Sequence, residues 1–136
     1  MQRLKTRPQF QAVLAGTVLS RTPHFALHCL ALPQVTPDMA ANAPLFPSHG
    51  VWMGAMVPKR WAKRAVTRNT IKRQIYAVSQ GVEPPLQAAA HVVRLRAGFD
   101  KTRFISATSA VLKAAVRAEL QQLFSGVRVR TVQGVA

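Results

Sequence analysis

Few residues in this 136-residue chain could carry hydrolytic chemistry, and they are scattered. A protein nuclease usually needs clustered carboxylates for metal ions, or a histidine beside a base partner. No two acids share a predicted helix face, and the histidines lack the spacing of metal ligands. These residues are Asp38, Glu83, Asp100 and Glu119, with His24, His28, His49 and His91. The sequence therefore predicts a protein without a catalytic group of its own, and without a bound metal.

Phosphate binding is the chemistry that the sequence does favour, in the stretch Lys59–Tyr76, KRWAKRAVTRNTIKRQIY. Seven of its first fifteen residues are Lys or Arg and none is acidic. At helical spacing, Ile71, Ile75 and Val78 form one apolar stripe. The cations and amide of a separate sector are Arg68, Asn69, Lys72 and Arg73. One side of this helix can dock on a sheet while the other meets phosphates, and the amide can read a ribose hydroxyl or a base edge.

Four further cations extend this patch to the beginning of the helix, where the helix dipole also favours phosphate. They are Lys59, Arg60, Lys63 and Arg64. The whole chain has 19 Lys and Arg against four Asp and Glu, a formal net charge of +15, which indicates a polyanionic partner. The uniform sign argues against a merely solvated face, and the apolar stripe argues against a disordered tail.

Cysteine usage and hydropathy indicate the compartment. Cys29 is the single cysteine, so an intrachain disulfide is excluded and a reducing compartment is favoured. No apolar segment follows the basic N-terminus as in a signal peptide, and no window is long enough to span a membrane. We expect a cytoplasmic protein with no membrane partner.

Local signals predict the first two helices. Thr6 followed by Gln9 matches a capping box, which predicts a helix over 7–15. The cationic segment is predicted as a helix over 62–79 and closed by Gly81.

A last helix is predicted after Ser106 or Thr108, either of which can cap it, and Gly126 is expected to end it. The tail 125–136 is expected to be loose. The apolar stripe of this helix is Leu112, Val116, Leu120 and Leu123.

Apolar and alternating runs predict strands over 24–32, 50–57 and 91–97. The segment 33–49 holds four of the nine prolines and is predicted as a long surface loop. The order α-β-β-α-β-α predicts a single α+β domain over 1–136, a two-layer sandwich of ribosomal-protein type with one small sheet.

The segment AVTRNTIKRQI (65–75) resembles the signature of the bacterial ribonuclease P protein subunit, whose core is Arg-Asn-x-x-Lys-Arg. The resemblance covers roughly 4–33 and 51–124. Thr70 and Tyr76 stand where the family commonly has arginine, which predicts an RNA-facing surface with two fewer cations. Residues Leu14, His28 and His91 also depart from the family pattern. The positions that match its core one for one are Arg68, Asn69, Lys72 and Arg73.

This resemblance implies a division of labour in which the RNA subunit holds the catalytic Mg²⁺ ions with the substrate and cleaves precursor tRNA. The protein would bind the RNA subunit through the cations above, and would bind the 5′ leader in a cleft between the first helix and the sheet. Phe10, Phe25 and His28 are the candidate cleft residues, with core packing as the alternative for both phenylalanines. The resemblance implies no obligate protein partner.

Two other functions stay open. A structural rRNA-binding protein of ribosomal type would have the same charge and size but no leader cleft. A protein-only nuclease is disfavoured by the four scattered acids.

Overall fold

The computed structural model describes residues 2–31, 50–82, 86, 88–99 and 110–135, the last nine as backbone only. The predicted 33–49 loop lies outside the described residues, and so do the candidate caps Ser106 and Thr108. Within the described ranges the chain forms five strands and three helices. In chain order they are β1 (Gln2–Arg3), α1 (Arg7–Leu14), β2 (Thr17–Arg21), β3 (Phe25–Leu30), β4 (Trp52–Met56), α2 (Ala65–Gln80), β5 (Ala90–Leu95) and α3 (Ala110–Val135).

The strands form one mixed sheet in the order β1-β4-β5-β3-β2. β4 pairs with β5 in parallel, which requires the crossover that α2 provides, and β1 pairs with β4 in parallel. β3 runs antiparallel to β5, and β2 forms a hairpin with β3. The predicted α+β class with one small sheet is confirmed.

Strands β1 and β2 were not predicted. β1 has only two residues, too few to show a periodicity. In β2, the pairing register shifts between Val18 and Ser20, and such a bulge breaks the alternation of apolar and polar residues.

The sheet carries helices on both faces. The helices α2 and α3 cover one face, and the predicted stripe of α3 lies there: Leu112, Val116, Leu120 and Leu123 are all buried. α1 covers the other face, where Val13 packs with Ala90 and Val92. Alternation along β5 explains this division, because Val93 and Leu95 point to the α2 and α3 side while Ala90 and Val92 point to α1.

The helix ends agree only partly with prediction. The capping box is confirmed, because Gln9 N donates to Thr6 Oγ1 at 3.4 Å and Thr6 N donates to Gln9 Oε1 at 3.1 Å. α2 begins at Ala65 and not at 62, since a turn comes before it.

The predicted end of α3 at Gly126 is wrong, because the helix continues to Val135 and the expected loose tail is helical backbone. A Cβ at residue 126 would lie 2.5 Å from Ser20 Oγ. This glycine therefore lets α3 pass close to β2, a packing role that a sequence pattern does not distinguish from a helix stop.

Candidate nucleic-acid interface

The outer side of α2 has the predicted arrangement. Ile71 and Ile75 are buried against the sheet, while Asn69 and Arg73 are exposed and Lys72 is half-buried. The apolar stripe thus holds the helix on the sheet and turns the signature residues toward solvent. We call this side the α2 surface; it is a shallow open pocket lined by Arg3, Asn69, Lys72, Arg73, Tyr76 and Gln80.

Arg3 is a member of the α2 surface that the sequence analysis missed. Its guanidinium carbon lies 4.0 Å from the centroid of the Tyr76 ring, a cation–π contact. The pairing of Arg3 with Met53 at the β4 edge brings this cation beside α2. Arg3 of β1 therefore supplies a cation beside position 76, where the sequence analysis expected one to be missing. The sequence signal that could have indicated this contact was Tyr76, an aromatic residue on the cationic side of α2.

Thr70 lies off the α2 surface. Its side chain is buried, and its hydroxyl donates to the Val66 carbonyl at 2.9 Å. The absence of arginine at position 70 therefore removes no cation from the outer side of the helix, contrary to the prediction.

Arg68 has a structural contact as well as a place in the signature. Its Nη1 donates to the carbonyls of Ala62 and Lys63 at 3.0 and 2.9 Å. This half-buried side chain therefore fixes the turn that precedes α2, and it points outward less than predicted. The other guanidinium donors can still meet a phosphate.

The turn over 58–64 carries the four cations predicted at the beginning of α2. Arg64 occupies the N-cap position, and no side chain caps the helix there. The first amides of α2 therefore face the same region as the cations, an arrangement suited to an anion. The four side chains are exposed: Lys59, Arg60, Lys63 and Arg64.

A second surface lies on the opposite face of the sheet, beside α1. The half-buried Phe10 ring lies over Gly54, where an added Cβ would come within 2.7 Å of Phe10 Cε1. The strand register places Gly54, Val92 and His28 side by side across β4, β5 and β3.

The next row of this face carries cations. Arg94 pairs with Ala26 of β3, and Ala26 pairs with Arg21 of β2. We call Phe10, Arg21, His28 and Arg94 the α1 surface. It combines the half-buried Phe10 ring with two guanidinium groups, a combination suited to single-stranded nucleic acid, while the side chain of His28 is buried.

His28 is held in its neutral form. Arg94 Nε donates to His28 Nε2 at 3.3 Å, which requires an unprotonated Nε2. Burial lowers the pKa of His28 most, Arg94 lowers it further, and the Leu14 backbone only partly offsets both. The Nδ1 atom is buried without a hydrogen bond of good geometry to the described residues.

Phe25 does not line the α1 surface, so its predicted place in the leader cleft is wrong. Its side chain is fully buried on the opposite face, with its ring centroid 6.0 Å from that of Phe99. Alternation along β3 is the reason, because residues 25 and 28 point to opposite sides of the sheet.

His24 and His28 are four residues apart, a spacing that would put both on one face of a regular strand, but they do not meet at a common site. His24 Nδ1 lies 2.7 Å from Glu119 Oε1, and its ring stacks on Phe99 with centroids 4.0 Å apart. Glu119 also accepts from the Thr22 hydroxyl at 2.6 Å, so it ties the β2–β3 turn to α3.

The described residues form neither a metal-binding cluster nor a membrane-spanning helix. No group of three or more His, Cys, Asp or Glu side chains there could hold a metal ion. Among the described helices, none is long and apolar enough to cross a bilayer.

The fold and the α2 surface define a small, strongly basic α+β protein with a cationic helix face turned to solvent. The ribonuclease P family model matches residues 1–123, and the chain belongs to this family. The resemblance drawn from residues 65–75 is thereby confirmed.

Several relatives share most of this chain. The ribonuclease P protein component of Ralstonia pickettii is 33% identical over 122 residues, covering 90% of this chain and 76% of the relative. That of Bordetella parapertussis is 32% identical over 123 residues, covering 90% and 89%. The RNase P protein of Staphylococcus aureus has the same fold, with a TM-score of 0.64 at 17% identity over 92% of this chain and 94% of that one. The family is that of the protein subunit of a ribonucleoprotein endoribonuclease that acts in tRNA processing.

Proposed function

We propose that this chain binds ribonuclease P RNA through the α2 surface and the 5′ leader of precursor tRNA through the α1 surface. It thereby assists the endonucleolytic step that produces the mature 5′ end. One observation carries the proposal: Asn69, Lys72 and Arg73 face solvent on α2 because Ile71 and Ile75 hold the opposite side in the core.

Electrostatics supports the first half of the proposal. Two RNAs repel each other, and a protein of formal charge +15 between them lowers that repulsion and releases counterions. Glu119 of α3 is the one acid in the described part of the chain, and its carboxylate pairs with His24. No described carboxylate therefore opposes phosphate at either surface.

The chemistry of the α1 surface supports the second half. A single-stranded leader offers bases that stack on aromatic rings and phosphates that pair with cations. Phe10 provides a half-buried ring, while Arg94 and Arg21 provide guanidinium groups along the same face. His28 is only 6% exposed, so its role here is to hold the Arg94 guanidinium in place, and it adds no charge of its own.

We assign the Mg²⁺ ions of the reaction to the RNA subunit and the substrate. Magnesium prefers carboxylate and other oxygen ligands. The Glu119 carboxylate is already engaged by His24 and Thr22, so the described residues do not fit an Mg²⁺ site. A cytoplasmic location is part of the proposal, supported by the single cysteine.

Cleavage of precursor tRNA by ribonuclease P RNA at low Mg²⁺, with and without this protein, tests the proposal. Addition of the protein should raise the cleavage rate. The pair Lys72→Ala and Arg73→Ala should reduce that stimulation, while Lys113→Ala with Arg117→Ala removes the same charge from the exposed side of α3 and should not. RNA binding without any stimulation would instead favour a structural rRNA-binding protein. Cleavage by the protein without RNA would favour a protein-only nuclease.

A further inference from the structure

Trp61 is a large aromatic residue exposed in the cationic turn that precedes α2. Its side chain is 37% exposed, whereas Trp52, the other tryptophan of the chain, is 6% exposed in the core beneath α1. The indole ring offers a large, flat apolar face, so a tryptophan that is partly exposed on a cationic surface can serve as a contact surface for a ligand.

The turn that carries Trp61 is held in place from inside. The amides of Trp61 and Ala62 donate to the Pro58 carbonyl at 3.1 and 3.2 Å, and Ala62 is buried in the core. The Arg68 guanidinium donates hydrogen bonds to the carbonyls of Ala62 and Lys63. The backbone of Trp61 is therefore fixed while its ring stays in contact with solvent.

A second segment supports the same turn. β4 and β5 are parallel, so the residues that follow both strands meet at one edge of the sheet. A Cβ at Gly98 would lie 3.1 Å from the Trp61 carbonyl oxygen, so the chain after β5 packs closely against this peptide. Preorganisation of this kind lowers the entropy that a ligand must remove on binding.

Every charged residue of the turn that carries the Trp61 ring is a cation. The Arg60 guanidinium carbon lies 5.3 Å from the centroid of the Trp61 ring, and Lys59, Lys63 and Arg64 are exposed in the same turn. The sequence contains no acid between residues 50 and 82. An exposed aromatic ring in a turn that carries four cations matches a nucleotide, in which a flat base is joined to a phosphate.

We propose that Trp61 is a stacking platform for one unpaired base of a bound RNA, with the neighbouring cations on the adjoining phosphates. This inference rests on the proposed function and adds a specific contact to it. The base can come from ribonuclease P RNA or from the single-stranded leader, and the two sources share the same chemistry.

The fluorescence of Trp61 tests the stacking directly. Ribonuclease P RNA and a single-stranded leader oligonucleotide are titrated separately into the wild-type protein and into Trp61→Phe, whose tryptophan emission comes from Trp52 alone. We expect RNA to quench the wild-type protein more than Trp61→Phe. Quenching by ribonuclease P RNA assigns the base to the RNA subunit, and quenching only by the oligonucleotide assigns it to the leader. Equal responses of the two proteins to both RNAs would overturn the proposal.

Affinity provides the second test. Trp61→Ala should weaken binding of the assigned RNA about five- to a hundredfold, because base stacking on an aromatic ring contributes that much. Trp61→Phe should retain most of the affinity. Val66 is 46% exposed at the beginning of α2, so Val66→Ala is the matched control and should change affinity by no more than about twofold.

The outcomes separate this inference from the proposed function. If Trp61→Ala binds like Val66→Ala while the Lys72 and Arg73 variants bind weakly, the function stands and the stacking platform is rejected. If the wild-type chain binds neither RNA, the proposed function itself fails.

Discussion

Arg94 of β5 donates a hydrogen bond from Nε to Nε2 of His28 on the neighbouring strand β3, at 3.3 Å. The strand register explains this contact. Arg94 pairs with Ala26, and His28 lies two residues further along β3 on the same face of the sheet, within reach of the Arg94 side chain. The bond can exist only while His28 is neutral, which makes the α1 surface sensitive to pH.

Stability should fall as the pH falls below about 6.5, the ordinary pKa of histidine. Burial lowers the folded-state pKa of both His28 and His91, so the unfolded chain binds protons first. As the pH falls from the histidine pKa of the unfolded chain to the lower pKa values of the folded protein, protons bind the unfolded state preferentially and the free energy of unfolding decreases. The decrease is complete below the folded-state pKa values. Urea unfolding at pH 7.5 and 5.5 measures this loss. It should be smaller in His28→Gln, whose amide oxygen can accept from Arg94; an equal loss would assign the effect to His91 alone.

Phe10→Ala should weaken binding of precursor tRNA about five- to a hundredfold, because a ring on the α1 surface would stack with a leader base. Mature tRNA, which has no leader, should bind almost unchanged. Titration of the holoenzyme with both tRNAs measures the contrast. The matched control is Val13→Ala, which removes fully buried apolar volume beside Phe10 and should lower the melting temperature while affecting both ligands alike. Equal losses for both tRNAs in Phe10→Ala would reject the leader contact.

Arg68→Ala and Arg73→Ala should behave differently, although both belong to the signature. Arg68→Ala should lower stability by about 1–3 kcal/mol, because the carbonyls of Ala62 and Lys63 lose a charged donor. Arg73→Ala should leave the melting temperature unchanged and weaken RNA binding, since its side chain is exposed. In a plot of log affinity against log salt concentration, the slope for Arg73→Ala should be shallower than that of the wild-type protein. The difference should be about 0.7–0.9 if Arg73 makes a single phosphate contact. Melting curves and salt titrations of both variants decide this; identical melting temperatures would refute the structural role of Arg68.

Arg3→Ala should weaken binding of ribonuclease P RNA as much as Lys72→Ala does, because both cations line the α2 surface. Lys5 is also exposed near the N-terminus but does not line that pocket, so Lys5→Ala is the matched control. Tyr76→Phe keeps a ring under Arg3 and should bind normally, whereas Tyr76→Leu should resemble Arg3→Ala. Equal affinities for Arg3→Ala and Lys5→Ala would remove Arg3 from the RNA surface.

Local pattern was enough to place the helices and their buried faces. The spacing of Ile71 and Ile75 determined which side of α2 is buried, and therefore which side carries Asn69 and Arg73. The Thr6–Gln9 capping box was readable because both partners lie within one helical turn. These features depend on residues a few positions apart, where the geometry of the helix alone fixes their relation.

The tertiary structure decided what depends on pairing between distant segments. Strand alternation separates residue 25 from residue 28, but only the docking of α1 and α3 decides which face forms the closed core around Phe25. The contact of Arg3 with Tyr76 joins residues far apart in sequence, and it exists because β1 adds to the edge of β4. Sequence periodicity reports how each element divides into buried and exposed sides. It carries no information about which neighbours a sheet brings together, because strand order and register are set by the packing of the whole chain.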